Sequence, residues 1–334
     1  TEIYSFLLVG RGSCVYQTTA SGGELAVALR AGVPGPEIGL HGNNKSDAEI
    51  GRALDEGVGR IIVDSLVEVE RVARLAGERG VVAPVMVRVT TGVHAGGHAA
   101  SAPAHEDQKL GRAVASPRPA DGRPAGDSPA MTALLDVVAR PELHLLGIHS
   151  HIGSQILDPS GFEVAARAVL ELRARLADRS GVLVDEVDIG GGYGIAYLPG
   201  DVALDPERVA KDVARAVEAV AAELGTPLPR FSIEPGRAIV GPAGLTLYTV
   251  GNVTHVPLDD ARVRSYVSVD GGMSDNIRPA LYAAQYHAEV VGRASEAGPV
   301  LARVVGSRCG RGAIVVHGVV LPGALPAGDV LAAT

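Results

Sequence analysis

Up to about Gly241, short β-branched runs alternate with amphipathic helical patterns, and no other feature limits the fold so strongly. Ile38 to Gly42 reads as a strand end, and Ser46 can cap a helix over Asp47 to Glu56. Arg60 to Asp64 is a β-branched strand; Ser65 can then cap a helix whose Leu66, Val69, Val72 and Leu75 recur at helical spacing. Val82 to Val89 and Leu143 to Ile152 are the next strands. A helix is predicted over Ser160 to Asp178, with Phe162, Ala166, Val169, Leu170 and Leu172 on or near one face. Val184 to Ile189 is a strand ending in glycines. Asp205-Pro206 is a cap plus first-turn proline for a helix reaching Leu224, and Phe231 to Ile233 is a further strand. Such alternation implies a parallel sheet, open or closed, because parallel neighbours need a crossover between them.

Beyond Gly241 the texture changes. Leu245 to Val256, Ser265 to Val269, Glu289 to Val291, Val300 to Val305 and Ala313 to Leu321 read as strands without helices between them. Two domains are therefore expected, an α/β domain over 1–244 and a mostly β domain over 245–334. Ala113 to Met131, with Ser116-Pro117-Arg118-Pro119 and Asp121-Gly122-Arg123-Pro124, is expected to be a surface loop.

Composition narrows the function. The 334 residues carry 30 Lys+Arg against 38 Asp+Glu, a formal charge of -8, which argues against nucleic acid or an anionic membrane as a partner. No apolar run approaches the ~18 residues of a membrane helix. The two cysteines, Cys14 and Cys309, make no disulfide framework and suit a reducing cytoplasm. The lysines are Lys45, Lys109 and Lys211.

Candidate chemistry sits at strand carboxyl ends, where parallel α/β folds place their sites. His149-Ser150-His151 follows a strand; residues two apart on a strand face the same way, so the two histidines could share a face. A metal pair is the weaker reading of that spacing; the stronger is one structural histidine and one in a ligand pocket, and no metal is expected. Asp188-Ile189-Gly190-Gly191-Gly192 suits an anion held by backbone N–H groups, or a plain tight turn. Glu234-Pro235-Gly236-Arg237 suits a pyridinium nitrogen and an anionic group, or a surface ion pair. Asp270 to Pro279 holds glycines and Arg278, and reads either as a carboxylate-binding loop or as a hairpin. Cys309 lies between Arg308 and Arg311, which favour a thiolate; a lone cysteine is more often a small packed residue.

Taken in order, His41 to Ser46, His149 to Gln155, Asp188 to Gly192, Glu234 to Arg237, Asp270 to Tyr282 and Cys309 closely resemble the diaminopimelate decarboxylase family, from about Ser21 to the end of the chain. Ser21 to Leu25 and His105 to Lys109 fit as well. The resemblance implies a (β/α)8 barrel that binds pyridoxal 5'-phosphate, followed by a β domain that completes the site. It implies that His151 stacks on the pyridine ring, that Ser154 and Gly190, Gly191 and Gly192 hold the phosphate, and that Glu234 pairs with the ring nitrogen. Pro235, Gly236 and Arg237 belong to the same cofactor-binding segment. Arg237, Arg278 and Tyr282 match substrate-contacting positions, and two arginines suit an amino-acid substrate with two carboxylates. Cys309 matches a catalytic cysteine brought in by a second subunit, hence an expected homodimer with shared sites.

The departures concern the family's outer segments. Its Schiff-base lysine, in a Tyr-Ala-x-Lys-Ala segment of the first barrel strand, falls before residue 1 by the family's spacing from Ser21. The first strand is therefore expected to be atypical or missing, with Ile3 to Val9 apolar enough to stand in for it. The glutamate that follows the family's cysteine is Gly310 here, and a later family segment would follow Thr334, so the β domain is expected to be incomplete.

Overall fold

The computed structural model describes residues 16–93, 110–115, 126–258, 262–308 and 313–334. They form two compact units. The first holds the described residues up to Gly194 together with Leu204–Gly236; the second holds Ile195–Ala203 and the described residues of Arg237–Thr334. The division thus falls at Gly236/Arg237 rather than at 244/245.

In the first unit, β1 (Gln17–Thr19), β2 (Ile38–Leu40), β3 (Arg60–Val63), β4 (Ala83–Thr90), β6 (Leu143–Ser150), β7 (Glu186–Asp188) and β8 (Arg230–Ser232) lie side by side in chain order. Every pairing between them is parallel, and the two-residue β5 (Arg112–Ala113) branches from β4. This is the expected parallel half of a (β/α)8 architecture. Among the described residues no pairing joins β8 to β1. Ile3 to Val9 lies outside the described residues.

The helices begin where the sequence provides a side-chain acceptor for their first N–H groups. Ser21, Ser46, Ser65 and Ser128 cap α1 (Gly22–Arg30), α2 (Asp47–Asp55), α3 (Leu66–Arg79) and α4 (Pro129–Val138). At α2 the Ser46 and Glu49 side chains complete a reciprocal capping box. The loop expected over 113–131 is shorter at both ends: Ala113 is in β5, and Ser128 with Pro129 starts α4. Its residues 116–125 lie outside the described ones. In α5 (Ser160–Ser180) all five predicted apolar residues are buried, as is Arg173, which donates to Val184 O at 2.7 Å and Pro227 O at 3.0 Å, tying the segments that lead into β7 and β8. α6 (Pro206–Glu223) starts on Asp205-Pro206 as predicted.

The first unit is polar at the strands' amino ends. Arg60 grips Glu186 through two hydrogen bonds of 2.8 and 3.0 Å and lies over the Tyr16 ring, 4.5 Å from its centroid, while Arg230 also reaches Glu186. A buried bidentate pair of this kind is stable only while both partners are present.

The second unit is a six-stranded mixed sheet in the order β11-β14-β9-β10-β12-β13. Its strands are β9 (Thr246–Pro257), β10 (Val263–Val269), β11 (Ala288–Val291), β12 (Pro299–Gly306), β13 (Ile314–Pro322) and β14 (Val330–Ala333). Only β10 and β12 pair in parallel. Tyr248, Val250, Val267, Val304, Val316 and Leu331 are buried in its core. Two features differ from the sequence reading. β14 was not foreseen, and a short helix, Arg278–Tyr282, interrupts the run between β10 and β11.

Candidate functional site

The strand carboxyl ends of the first unit bring one group of ionisable side chains together. The pairing register sets Arg88 of β4, His149 of β6, Asp188 of β7 and Ser232 of β8 side by side. Neighbours in register across a parallel sheet project to the same face, so this row is fixed by strand pairing. Beyond it stand His41, whose N–H donates to Thr19 O at the end of β1 at 2.7 Å, and Glu234, whose N–H donates to Gly190 O at 2.9 Å.

Glu234 is the centre of the group. His149 Nε2 lies 3.4 Å from its Oε2 and His41 Nε2 lies 2.8 Å from its Oε1. The two imidazoles meet edge to face, with centroids 4.9 Å apart. The His41 approach is close but out of line for a directed hydrogen bond, so Glu234 Oε1 is a buried acceptor with no aligned donor. Burial opposes ionisation of Glu234, but His149 and His41 outweigh it and hold the carboxyl well below the usual range. Asp188 behaves oppositely. Complete burial, then the nearby Glu234 charge, raise its pKa, and its side chain accepts from Gly190 N at 2.6 Å and from the Tyr16 hydroxyl.

The glycine turn after β7 packs directly against these groups. A Cβ on Gly191 would lie 2.2 Å from Glu234 O, so only glycine allows that approach; Gly192 has φ +101° and the same difficulty against Gly153 O. Gly191 N donates to His151 Nδ1 at 3.1 Å, which puts the neutral ring's proton on Nε2. Burial, with Arg88 and His149 nearby, lowers the His151 pKa to about 4. Ile156 N donates to Gly192 O at 2.9 Å, so the turn carrying Ser154 is laced to the same glycines.

The structure therefore gathers His151, Ser154, Gly190, Gly191, Gly192 and Glu234 at one end of the first unit, with Pro235 and Gly236 following Glu234. Arg237, Arg278 and Tyr282 belong to the second unit. There Arg237 lies over the Tyr197 ring at 6.0 Å, and Arg278 donates to the Tyr286 hydroxyl at 2.9 Å and lies over the Tyr282 ring at 5.7 Å. Cys309 and Gly310 lie outside the described residues, as do Cys14 and Lys109. Lys45 is buried against Glu68, 3.0 Å away, and also donates to Gly42 O; Lys211 pairs with Glu207 on the exposed face of α6.

Two readings of the sequence are corrected. His149 and His151 do not converge: β6 ends at Ser150, so strand alternation no longer governs His151, which turns to Gly191 while His149 meets Glu234. The metal-type donor set is instead His41, His149 and Glu234, whose ligand atoms lie within 4.8 Å of one another. The surface ion-pair reading of Glu234 to Arg237 also fails, because the Glu234 side chain is only 15% exposed and its partners are histidines. His41 and Asp188 were not singled out as site residues; the signal for His41 was its place just past a strand, like that of His149.

The comparisons with known proteins give the family. Residues 12–241 match the family model described as pyridoxal-dependent decarboxylase, pyridoxal binding domain. Diaminopimelate decarboxylase of Mycobacterium tuberculosis H37Rv is 47% identical over 319 residues, covering 93% of this chain and 68% of that protein. The chain belongs to the diaminopimelate decarboxylase family. The Bacillus subtilis 168 member is 38% identical over 312 residues, covering 93% of this chain and 67% of its own length, so the chain spans about two thirds of these relatives. Among solved structures, the Helicobacter pylori diaminopimelate decarboxylase complexed with L-lysine has a TM-score of 0.79 at 26% identity, covering 95% of this chain and 72% of that one. The M. jannaschii enzyme in co-complex with L-lysine gives 0.78 at 26% identity, covering 99% and 70%. By family the chain is a carboxy-lyase whose cofactor is pyridoxal phosphate.

The residues of the first unit fit that cofactor. Glu234 Oε1 is an ionised, buried acceptor without an aligned donor, which a protonated pyridine nitrogen would fill. An imidazole kept neutral by burial suits the face of a cationic ring better than an imidazolium, and His151 is such a group. Among the described residues no helix is long and apolar enough to cross a membrane.

Proposed function

We propose that this chain carries out pyridoxal-phosphate-dependent decarboxylation of meso-2,6-diaminopimelate to L-lysine, the last step of lysine biosynthesis. The observation that carries the proposal is Glu234, held anionic with a buried acceptor oxygen beside His151 and the glycine turn. When bound, the cofactor draws in the electron pair left on the substrate's α carbon as CO₂ departs, and a protonated ring nitrogen strengthens that pull. Glu234 keeps the proton on that nitrogen, since the ionised carboxylate favours a cationic partner. His151 covers one face of the ring. Ser154 with Gly190, Gly191 and Gly192 holds the phosphate, and Pro235 and Gly236 set the strand end beside it. Arg237, Arg278 and Tyr282 hold the substrate's carboxylates and amine. Cys309 acts from a second subunit in a homodimer with shared sites, in a reducing cytoplasm. The L-lysine in the two solved relatives is what diaminopimelate becomes on losing one CO₂, which supports this substrate.

A second reading is favoured by Lys45. Its ammonium is buried against Glu68, engaged by that carboxylate rather than offered to an aldehyde. Under that reading the chain binds the cofactor at most, without a covalent link, and does not turn over. One experiment separates the two. The purified chain is loaded with pyridoxal phosphate, treated with borohydride and mapped by peptide mass, and CO₂ release from carboxyl-labelled diaminopimelate is measured. A cofactor-bearing lysine plus CO₂ release supports the first reading; bound cofactor with neither supports the second; no bound cofactor overturns both.

A further inference from the structure

Glu234 is gripped by two histidines, and one of them, His41, comes from a motif to which the reading above gives no role. His149 points a ring nitrogen at Oε2, 3.4 Å away, and His41, whose ring meets that of His149 edge to face, brings Nε2 within 2.8 Å of Oε1. We infer that His41 and His149 are positioning residues that clamp the Glu234 carboxylate so that Oε1 stands ready for the cofactor's ring N–H. The inference rests on the assignment of Glu234 to the ring nitrogen, and it adds who holds that carboxylate.

Three observations carry it. First, each oxygen of the carboxylate has an imidazole nitrogen as a close polar neighbour, while Asp188, Arg88, His151, Tyr16 and Tyr193 feel its charge. Second, the backbone on both sides is fixed. His41 is tied to Thr19 at the end of β1, His149 is in register between Arg88 and Asp188, and Glu234 N–H is bonded to Gly190 O. The clamp is thus built from β2, β6 and the segment after β8, and no loop has to move to close it. Third, the alignment is uneven. His149 makes the hydrogen bond, whereas His41 Nε2 and Glu234 Oε1 sit close together without one. An acceptor pinned on one oxygen and crowded but unbonded on the other is prepared for a third group.

The test separates a grip on the ring nitrogen from general support of the pocket. Dissociation constants are measured for pyridoxal 5'-phosphate and for its carbocyclic analogue with C–H in place of the ring nitrogen, on the full chain with EDTA present because the same three side chains form a metal-type donor set. The wild type is expected to prefer the pyridine by about 100-fold, since a hydrogen bond to a charged group is worth on that order. His41→Asn and His149→Ala are each expected to narrow the preference by about 10-fold while leaving affinity for the analogue within about 3-fold. The double variant should narrow it by less than the product, because both act through one carboxylate. His149→Gln, which retains an N–H donor, should recover most of the preference. Urea unfolding of each variant checks that the first unit is folded. Variants that weaken both ligands equally would overturn the clamp and leave Glu234's assignment intact. A wild type that binds both ligands equally would overturn the assignment itself, and the clamp with it.

Discussion

Two strands, one in each unit, end on or beside an aspartate and a run of glycines, three after β7 and two after β10, and the resulting loops are unlike. After β7, Asp188 is fully buried, and Gly191 rests on the backbone of the Glu234 segment. After β10, Asp270 is exposed and accepts from Thr249 N at 2.8 Å, while Asp275 accepts from Gly272 N at 2.6 Å and closes the loop on itself. The first loop is held by other strand ends and therefore shapes a site. The second caps its own sheet, and its arginine, Arg278, is anchored on Tyr286. A run of glycines after a strand is thus a statement about close approach; what approaches decides the function.

Substitutions at the glycines break the comparison most sharply. Gly191→Ala puts a methyl group 2.2 Å from a backbone carbonyl that cannot move without shifting Glu234. Urea unfolding should show a loss of about 3 kcal/mol or more, and cofactor binding should be lost with it. A stability within 1 kcal/mol of wild type would show that the loop is not packed as described.

Acid comes next, and its larger effect falls beside the first loop, on His151. The folded-state pKa of His151 is about 4 against 6.5 unfolded, so between those values the unfolded chain binds the extra proton. Stability from this group is full above pH 6.5 and declines as pH falls through 4, by on the order of 3 kcal/mol in the cofactor-free chain. His151→Gln should flatten that part of the urea-midpoint profile.

Gly271→Ala is expected to cost less, about 1–2 kcal/mol, although its Cβ would meet Tyr248 Cε1 at 2.0 Å. The obstacles there are side chains rather than backbone, the Tyr248 ring and the Asp275 carboxylate, and the carboxylate can swing toward solvent. The smallest effects are those of the two aspartates, and their signs are opposite. Burial raises the Asp188 pKa, so its contribution is present at low pH and fades as pH rises; Asp188→Asn should gain on wild type as pH rises above the ordinary carboxylate range. The Thr249 N–H lowers the Asp270 pKa, so its contribution fades as pH falls below the ordinary carboxylate range, and Asp270→Asn should lose slightly to wild type at pH 7.

The fold was legible because periodicity and capping residues act locally. β2, β3, β4, β6 and β8 and the helices starting at Ser46, Ser65 and Asp205 follow from runs and caps visible within a few residues. α1 was hidden because Gly22 and Gly23 fill its first turn, where low helix propensity masks the Ser21 cap. β14 was hidden because Val330-Leu331-Ala332-Ala333 is short and becomes a strand only between β9 and β11. The site was legible in part. Strand-end position marked His149, His151, the glycines and Glu234, but nothing local says that His41 meets Glu234 or that His149 and His151 part company.

The contact between His41 and Glu234 joins the second strand of the unit to the segment after the last. Closing so long a loop is slow and comes late, because its entropy is lost before the contact rewards it. A chain stalled part-way through folding therefore has no place for the cofactor, whereas a finished one does. Pyridoxal phosphate at a hundred times its dissociation constant would deepen the native well by about 2.7 kcal/mol through mass action alone. Cofactor supply would then act on the abundance of the folded chain as well as on its chemistry.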